Sequence, residues 1–175
     1  MLPDTILRLA NDEEFQWLLQ PELKAIKDGL VYVEDKDCVY LWRSGKYRGY
    51  LNAQGQRQGV GIIITKYFDK FLGEWHEDKL HGIAKEEQYD GESWWGHFKL
   101  GSREGYITHT NRYGIVNYFQ YKNGQRNGYG IQKIIGQSVK RGLYQGEFND
   151  VGRDGYGLMK FNNTDEYDGQ WKDDR

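Results

Sequence analysis

Phe71-Leu72-Gly73-Glu74-Trp75, followed by Asp78 and then by Gly82-Ile83-Ala84, is the stretch that decides how this chain folds. It sets a template: aromatic, any residue, Gly, any residue, aromatic, then a turn residue, then Gly, any residue and a small residue. Trp94, Gly96 and Phe98 run through Gly101 to Gly105 and Ile107 with the same spacing. Tyr144, Gly146 and Phe148 run on to Gly155 and Gly157. Tyr121, Gly124, Gly128 and Gly130 keep the frame, although Asn117 and Phe119 replace its first aromatic and its Gly. Tyr47, Gly49 and Leu51 open another copy that needs one extra residue before Gly55, Gly59 and Gly61. Tyr167, Gly169 and Trp171 open a sixth, truncated copy. Starts at 47, 71, 94, 117, 144 and 167 are 24, 23, 23, 27 and 23 residues apart, and a fixed period of this length marks a repeat architecture.

Strand side chains alternate, so aromatic, Gly and aromatic at i, i+2 and i+4 share one face. Gly between two rings weakens a strand by about 0.5–1 kcal/mol, but it lets an aromatic of the neighbouring copy lie on the backbone. Burying each ring contributes about 1.5–3 kcal/mol, so the exchange favours the sheet. The intervening Leu72, Glu74, Trp95, His97, Tyr118, Gln120, Gln145, Glu147, Asp168 and Gln170 point to a mostly polar opposite face. Turn sequences such as Lys122-Asn123-Gly124-Gln125-Arg126 and Asn162-Asn163-Thr164-Asp165 join short strands. The expectation is an all-β repeat array: consecutive antiparallel β-hairpins in one elongated twisted sheet, on the order of 50 Å long at about 4.8 Å per strand.

Residues 1–44 differ, since of the chain's 23 glycines only Gly29 precedes residue 45. Asn11 followed by Asp12, Glu13 and Glu14 reads as a helix N-cap, with Phe15, Leu18 and Leu19 at helical spacing. Pro21 starts a second short helix through Leu23, Ile26 and Lys27, closed at Gly29. Leu30 to Val33 and Cys38 to Trp42 are expected as a hairpin around Asp35-Lys36-Asp37. Residues 1–44 are thus an N-terminal helical and hairpin cap, and residues 45–175 are the array, five copies and a truncated sixth. The C-terminal sheet edge is free to meet a partner, a second copy or further sequence.

The motif resembles that of the membrane occupation and recognition nexus (MORN) repeat family, Tyr-x-Gly-x-Trp, a Gly turn, then Gly-x-Gly. The resemblance covers about three quarters of the chain, and the copy with Phe71, Gly73, Glu74, Trp75, Lys79, His81 and Gly82 matches it most fully. It implies a non-catalytic module of scaffolds at membrane junctions, in ciliary axonemes and radial-spoke heads, and in accessory regions of lipid kinases and a lysine methyltransferase.

Mean hydropathy of −0.88 and the lack of a long apolar run exclude a spanning helix. Cys38, the single cysteine, closes no intrachain disulfide and belongs to no zinc pair. The first residues carry no signal or transit pattern, Leu2 stands where myristoylation needs Gly, and no prenylation cysteine ends the chain. The expected setting is cytoplasmic, with cytoskeletal, ciliary and peripheral membrane placements implied by the resemblance.

No residue pattern points to catalysis, a metal or a cofactor. His76, His81, His97 and His109 belong to no metal or acid–base motif, and the repeated Gly-x-Gly pairs lack the Lys-Ser/Thr of a phosphate loop. Ser44, Ser93, Ser102 and Ser138 have no nucleophile-elbow context. The acid pairs Glu86-Glu87 and Asp173-Asp174 diverge in a strand.

Charge is unevenly spread: 5 basic and 9 acidic residues in 1–44, 7 and 8 in 45–92, 8 and 1 in 93–141, and 4 and 8 in 142–175. The middle block holds Lys99, Arg103, Arg112, Lys122, Arg126, Lys133, Lys140 and Arg141, a patch for an anionic partner if its members converge. Acidic flanks and the absence of a reader motif disfavour nucleic acid. The first functional expectation is a protein–protein interaction scaffold within a larger assembly, docking partners through the outward aromatics Tyr50, Trp95 and Tyr118. The alternatives are a peripheral module for anionic phospholipids and the regulatory repeat region of a longer enzyme.

Overall fold

The computed structural model describes residues 29–135 and 142–175, and the two expected N-terminal helices lie outside them. The described residues form one sheet of 12 strands in sequence order. The strands are β1 (Val31–Tyr40), β2 (Arg43–Leu51), β3 (Arg57–Thr65), β4 (Lys70–His76), β5 (Lys79–Glu87), β6 (Ser93–Lys99), β7 (Ser102–Thr110), β8 (Val116–Lys122), β9 (Gln125–Ile134), β10 (Gly142–Phe148), β11 (Arg153–Phe161) and β12 (Glu166–Trp171). Every neighbouring pair is antiparallel, and no described residue is helical.

The expected hairpin over residues 30–42 is instead the single strand β1. A bulge between Val33 and Lys36 absorbs the polar stretch, with Asp35 at φ +49°. Arg48 and Lys46 of β2 hold Asp35 at 2.7 Å and Asp37 at 2.8 Å, so pairing along β2 overrides the local turn signal. The chain reverses later, at Leu41 and Trp42, both with positive φ. The 44/45 boundary therefore falls inside β2, and residues 31–44 share one sheet with the repeats.

One face, here the inner face, carries the motif. Tyr47, Phe71, Trp75, Phe98, Phe119, Tyr121, Tyr144 and Phe148 are buried on it, while Trp94 and Trp171 are partly buried and Tyr167 is more exposed. The glycines beneath them have a specific use. A Cβ on Gly61 or Gly157 would collide with the ring of Tyr47 or Tyr144. Each covering ring belongs to the same hairpin as its glycine, whereas the sequence suggested a neighbouring copy. The next copy contributes a different contact: Trp75 Nε1 donates to Gly61 O at 2.9 Å and Trp171 Nε1 to Gly157 O at 3.1 Å. Tyr47, Tyr144 and Tyr167 each donate their hydroxyl to the carbonyl three residues on, so these rings leave no polar atom stranded.

Each hairpin from an even strand to the next odd strand contains a register shift, as between Gly73 and Trp75. Side chains close three of these irregularities in one way. Glu74 accepts from Ile83 N, Gln120 from Tyr129 N and Glu147 from Tyr156 N, always nine residues on. Copies are also stapled to one another. In four of the turns the second residue donates its N–H to the preceding copy: Asp78 to Arg57 O, Gly101 to Leu80 O, Gly124 to Arg103 O and Asp174 to Arg153 O.

Candidate functional site

The inner face has little free surface because four arginines are laid across its rings. Arg57, Arg103, Arg126 and Arg153 stand two residues before Gly59, Gly105, Gly128 and Gly155. The Arg57 guanidinium lies 5.0 Å from the Trp75 ring centre and 5.1 Å from that of Tyr40, and it pairs with Asp78 at 2.8 Å. Arg103 sits 4.0 Å above Trp94 and bonds Glu86 at 2.6 Å. Arg126 lies 5.3 Å from Phe119 and donates to Asp150 O, and Arg153 lies 4.2 Å from Trp171 and pairs with Asp174. Such stacked, partly desolvated cations contribute about 0.5–2 kcal/mol each. Buried Nη1 of Arg57 has no hydrogen-bond partner among the described residues, and π faces occupy its surroundings instead.

The eight residues of the basic block do not converge. Arg103 and Arg126 are committed to the inner face, whereas Lys99, Lys122 and Lys133 are exposed on the outer one. Arg112 stands on the β7–β8 loop beside Tyr113, and Lys140 and Arg141 lie outside the described residues.

Mid-array, the inner face turns polar. His109 stacks on Trp94 at 5.1 Å and 11°, the ring that also carries Arg103, and its Nε2 is 2.8 Å from Glu92 Oε1. Burial holds the imidazole below its usual 6.5, and Arg103 and Arg126 add to this against the hydrogen bond and charge of Glu92. As pH falls below 6.5 the unfolded chain takes up the proton first. The contribution of this site is fully present above that value and is lost as pH falls through the lowered folded value. His109→Gln should therefore flatten the loss of stability between pH 7.5 and 5.5, read as the shift in urea midpoint against that of the unsubstituted protein.

The outer face carries exposed rings. Trp95 of β6 pairs with Thr108 of β7, Thr108 with Tyr118 of β8, and Tyr118 with Ile131 of β9. Trp95 and Tyr118 thus share one cross-strand row, two strands apart, whereas Tyr50 lies away on β2, edge-on to Tyr32 at 5.4 Å. A parallel row holds Tyr106, Tyr129 and Tyr156, which are 69%, 46% and 52% exposed. Sequence reading passed over these three because Gly105-Tyr106-Ile107, Gly128-Tyr129-Gly130 and Gly155-Tyr156-Gly157 were absorbed into the glycine frame. Their common place after a positive-φ glycine was the available signal. This face is not uniformly polar toward β3 and β4 either, where Val60, Ile62 and Leu72 are buried.

A third set of rings crowns one rim, on the loops between strands. Trp42 is 99% exposed, and Tyr67, Phe68, Tyr89 and Tyr113 are also exposed. Cys38 is a free thiol whose pKa burial pushes up, which makes it a poor nucleophile. Among the described residues no three His, Cys, Asp or Glu side chains gather as a metal would require, and no helix is long and apolar enough to cross a membrane. No family model matches the chain, and a search of curated proteins finds no match either.

Proposed function

We propose that this chain is a MORN-type repeat module acting as a non-catalytic scaffold, and that it docks partner proteins on its outer face. One observation carries the reading: Trp95, Tyr106, Tyr118, Tyr129 and Tyr156 are exposed together on β6 to β11. Solvated faces need no such rings, whereas protein interfaces are enriched in Trp and Tyr anchors. The motif residues support the same reading, because their rings, arginines and glycines are engaged in packing one copy on the next. Quantitative mass spectrometry of proteins retained from native extract tests it. Trp95→Ala with Tyr118→Ala should remove specific partners while the unfolding free energy from urea titration stays within about 0.5 kcal/mol of that of the unsubstituted chain, as expected for exposed positions. An unchanged set of partners would overturn the outer face as the docking surface.

A second reading, attachment to anionic phospholipid, draws on the rim rings Trp42, Tyr67, Phe68, Tyr89 and Tyr113 with Lys66 and Arg112 beside them. Aromatic rings with polar tips and basic neighbours suit a headgroup layer. Flotation with phosphatidylserine vesicles should then fall with salt and with Trp42→Ala, and no flotation at low salt would dismiss it.

A further inference from the structure

The docking reading leaves open what lies on the outer face, and the spacing of its tyrosines narrows the answer. Tyr106, Tyr129 and Tyr156 follow Gly105, Gly128 and Gly155, whose φ values are +70°, +110° and +107°. Two other copies place Val60 and Ile83 at this position, so the frame itself does not demand an aromatic there. The three rings stand on alternate strands, β7, β9 and β11. Strands lie about 4.8 Å apart, so these rungs recur about every 9.6 Å. Gln120 of β8 and Glu147 of β10 stand between the rungs, and their side chains are turned back onto Tyr129 N and Tyr156 N at 3.2 and 3.1 Å. The result is a series of slots walled by tyrosine and floored by polar groups held close to the sheet.

A polyproline II segment has three residues per turn and a rise of about 3.1 Å per residue, so its pitch is about 9.3 Å. One turn of such a segment fits one rung. Its backbone carbonyls have no internal partners, which leaves them to accept from the Tyr106 and Tyr129 hydroxyls, while proline rings pack on the aromatic walls. Charge supplies a direction. Around Tyr156, which pairs with Gln170, stand the carboxylates of Glu147 and Asp168, while Lys172 is already paired with Asp154 at 2.7 Å. Near Tyr106, Lys99 and Lys122 are exposed on either side of a single carboxylate, Glu104, which accepts from Asn123 N at 2.9 Å.

We propose that the outer face binds a proline-rich segment in the polyproline II conformation, its prolines seated between Tyr106, Tyr129 and Tyr156 and a basic residue at the Glu147–Asp168 end. This rests on the docking reading and specifies its partner. Fluorescence anisotropy with two labelled probes tests it: a peptide of about nine prolines, three turns of the helix, and the same peptide ending in Arg. Both should bind saturably, the Arg peptide more tightly. Tyr129→Ala and Tyr156→Ala should each weaken both by about tenfold, which is about 1.4 kcal/mol. Glu147→Gln keeps an acceptor for Tyr156 N and should weaken only the Arg peptide. No saturable binding would overturn the proposal, as would affinities untouched by Tyr129→Ala or equal binding of a Gly/Ser peptide ending in Arg. Loss of native partners on Trp95→Ala with Tyr118→Ala, alongside failure of both proline probes, would leave the docking reading standing and remove this one.

Discussion

Gly73→Val should destabilise the array by about 3 kcal/mol or more, while Gly105→Ala should cost only about 1–2 kcal/mol. Both glycines have positive φ, +150° and +70°, so both substitutions carry the backbone strain of an L residue, about 1–3 kcal/mol. They differ in what a side chain would meet. At Gly73 the first carbon would lie 2.5 Å from Ala84 Cα and 2.6 Å from Ile83 O. Those are backbone atoms of β5, which cannot turn aside as a side chain does, so the β4–β5 seam must open. Overpacking of this kind adds about 1–3 kcal/mol. At Gly105 nothing lies within 4 Å. For a chain of this size each kcal/mol lowers Tm by about 2–4 °C, so Gly73→Val should melt about 6–12 °C lower. Because each copy contacts only its neighbours, hydrogen exchange should quicken first in β3 to β6. Equal losses at the two positions would mean that φ alone, not close backbone approach, fixes these glycines.

The same contrast explains what could be read from sequence. Period-2 alternation assigns aromatic, Gly and aromatic to one face, and the buried sides of β2, β4, β6, β8 and β10 follow that assignment. The outer face was harder to read because the motif leaves its positions open. Tyr106, Tyr129 and Tyr156 look like fillers between glycines until the strand order sets them on one row. The eight basic residues misled for a related reason. Lys99 and Arg103 are four residues apart in sequence, but the turn at Leu100 and Gly101 sends them to opposite faces. The partners of the arginines were also hidden. Arg103 reaches back 17 residues to Glu86, and Arg57 and Arg153 reach forward 21 to Asp78 and Asp174. These are separations between copies, visible only once the strand pairing is known. At residues 35–37 a local rule lost to a tertiary one, since a polar triplet that reads as a turn became a bulge salt-bridged to β2.

The copy that departs furthest from the motif provides the sharpest test of how the face is packed. Asn117 replaces the first aromatic and Phe119 replaces the glycine, and both are buried. The Phe119 ring lies over Gly130 and meets Phe148 at 4.9 Å, so the ring missing from 117 is supplied two residues later. Asn117 Oδ1 accepts from Lys133 N at 2.9 Å. Phe119→Gly should therefore cost about 3–5 kcal/mol, the range for losing a buried Phe. Asn117→Phe alone should cost about 2–4 kcal/mol, from crowding against Phe119 and from leaving Lys133 N unsatisfied. The double substitution rebuilds the motif, and a ring at 117 would occupy the space vacated at 119. Its loss should fall short of the sum of the single losses by about 2 kcal/mol, within the range of coupling between residues in contact. It should remain below the unsubstituted protein, because the Asn117 hydrogen bond is not regained. Urea midpoints of the four proteins close the cycle. Additive losses would show that Phe119 does not take the place of the missing ring. A favourable coupling would show that the inner face selects a total ring volume per copy, which is why this copy can break the motif and still continue the sheet.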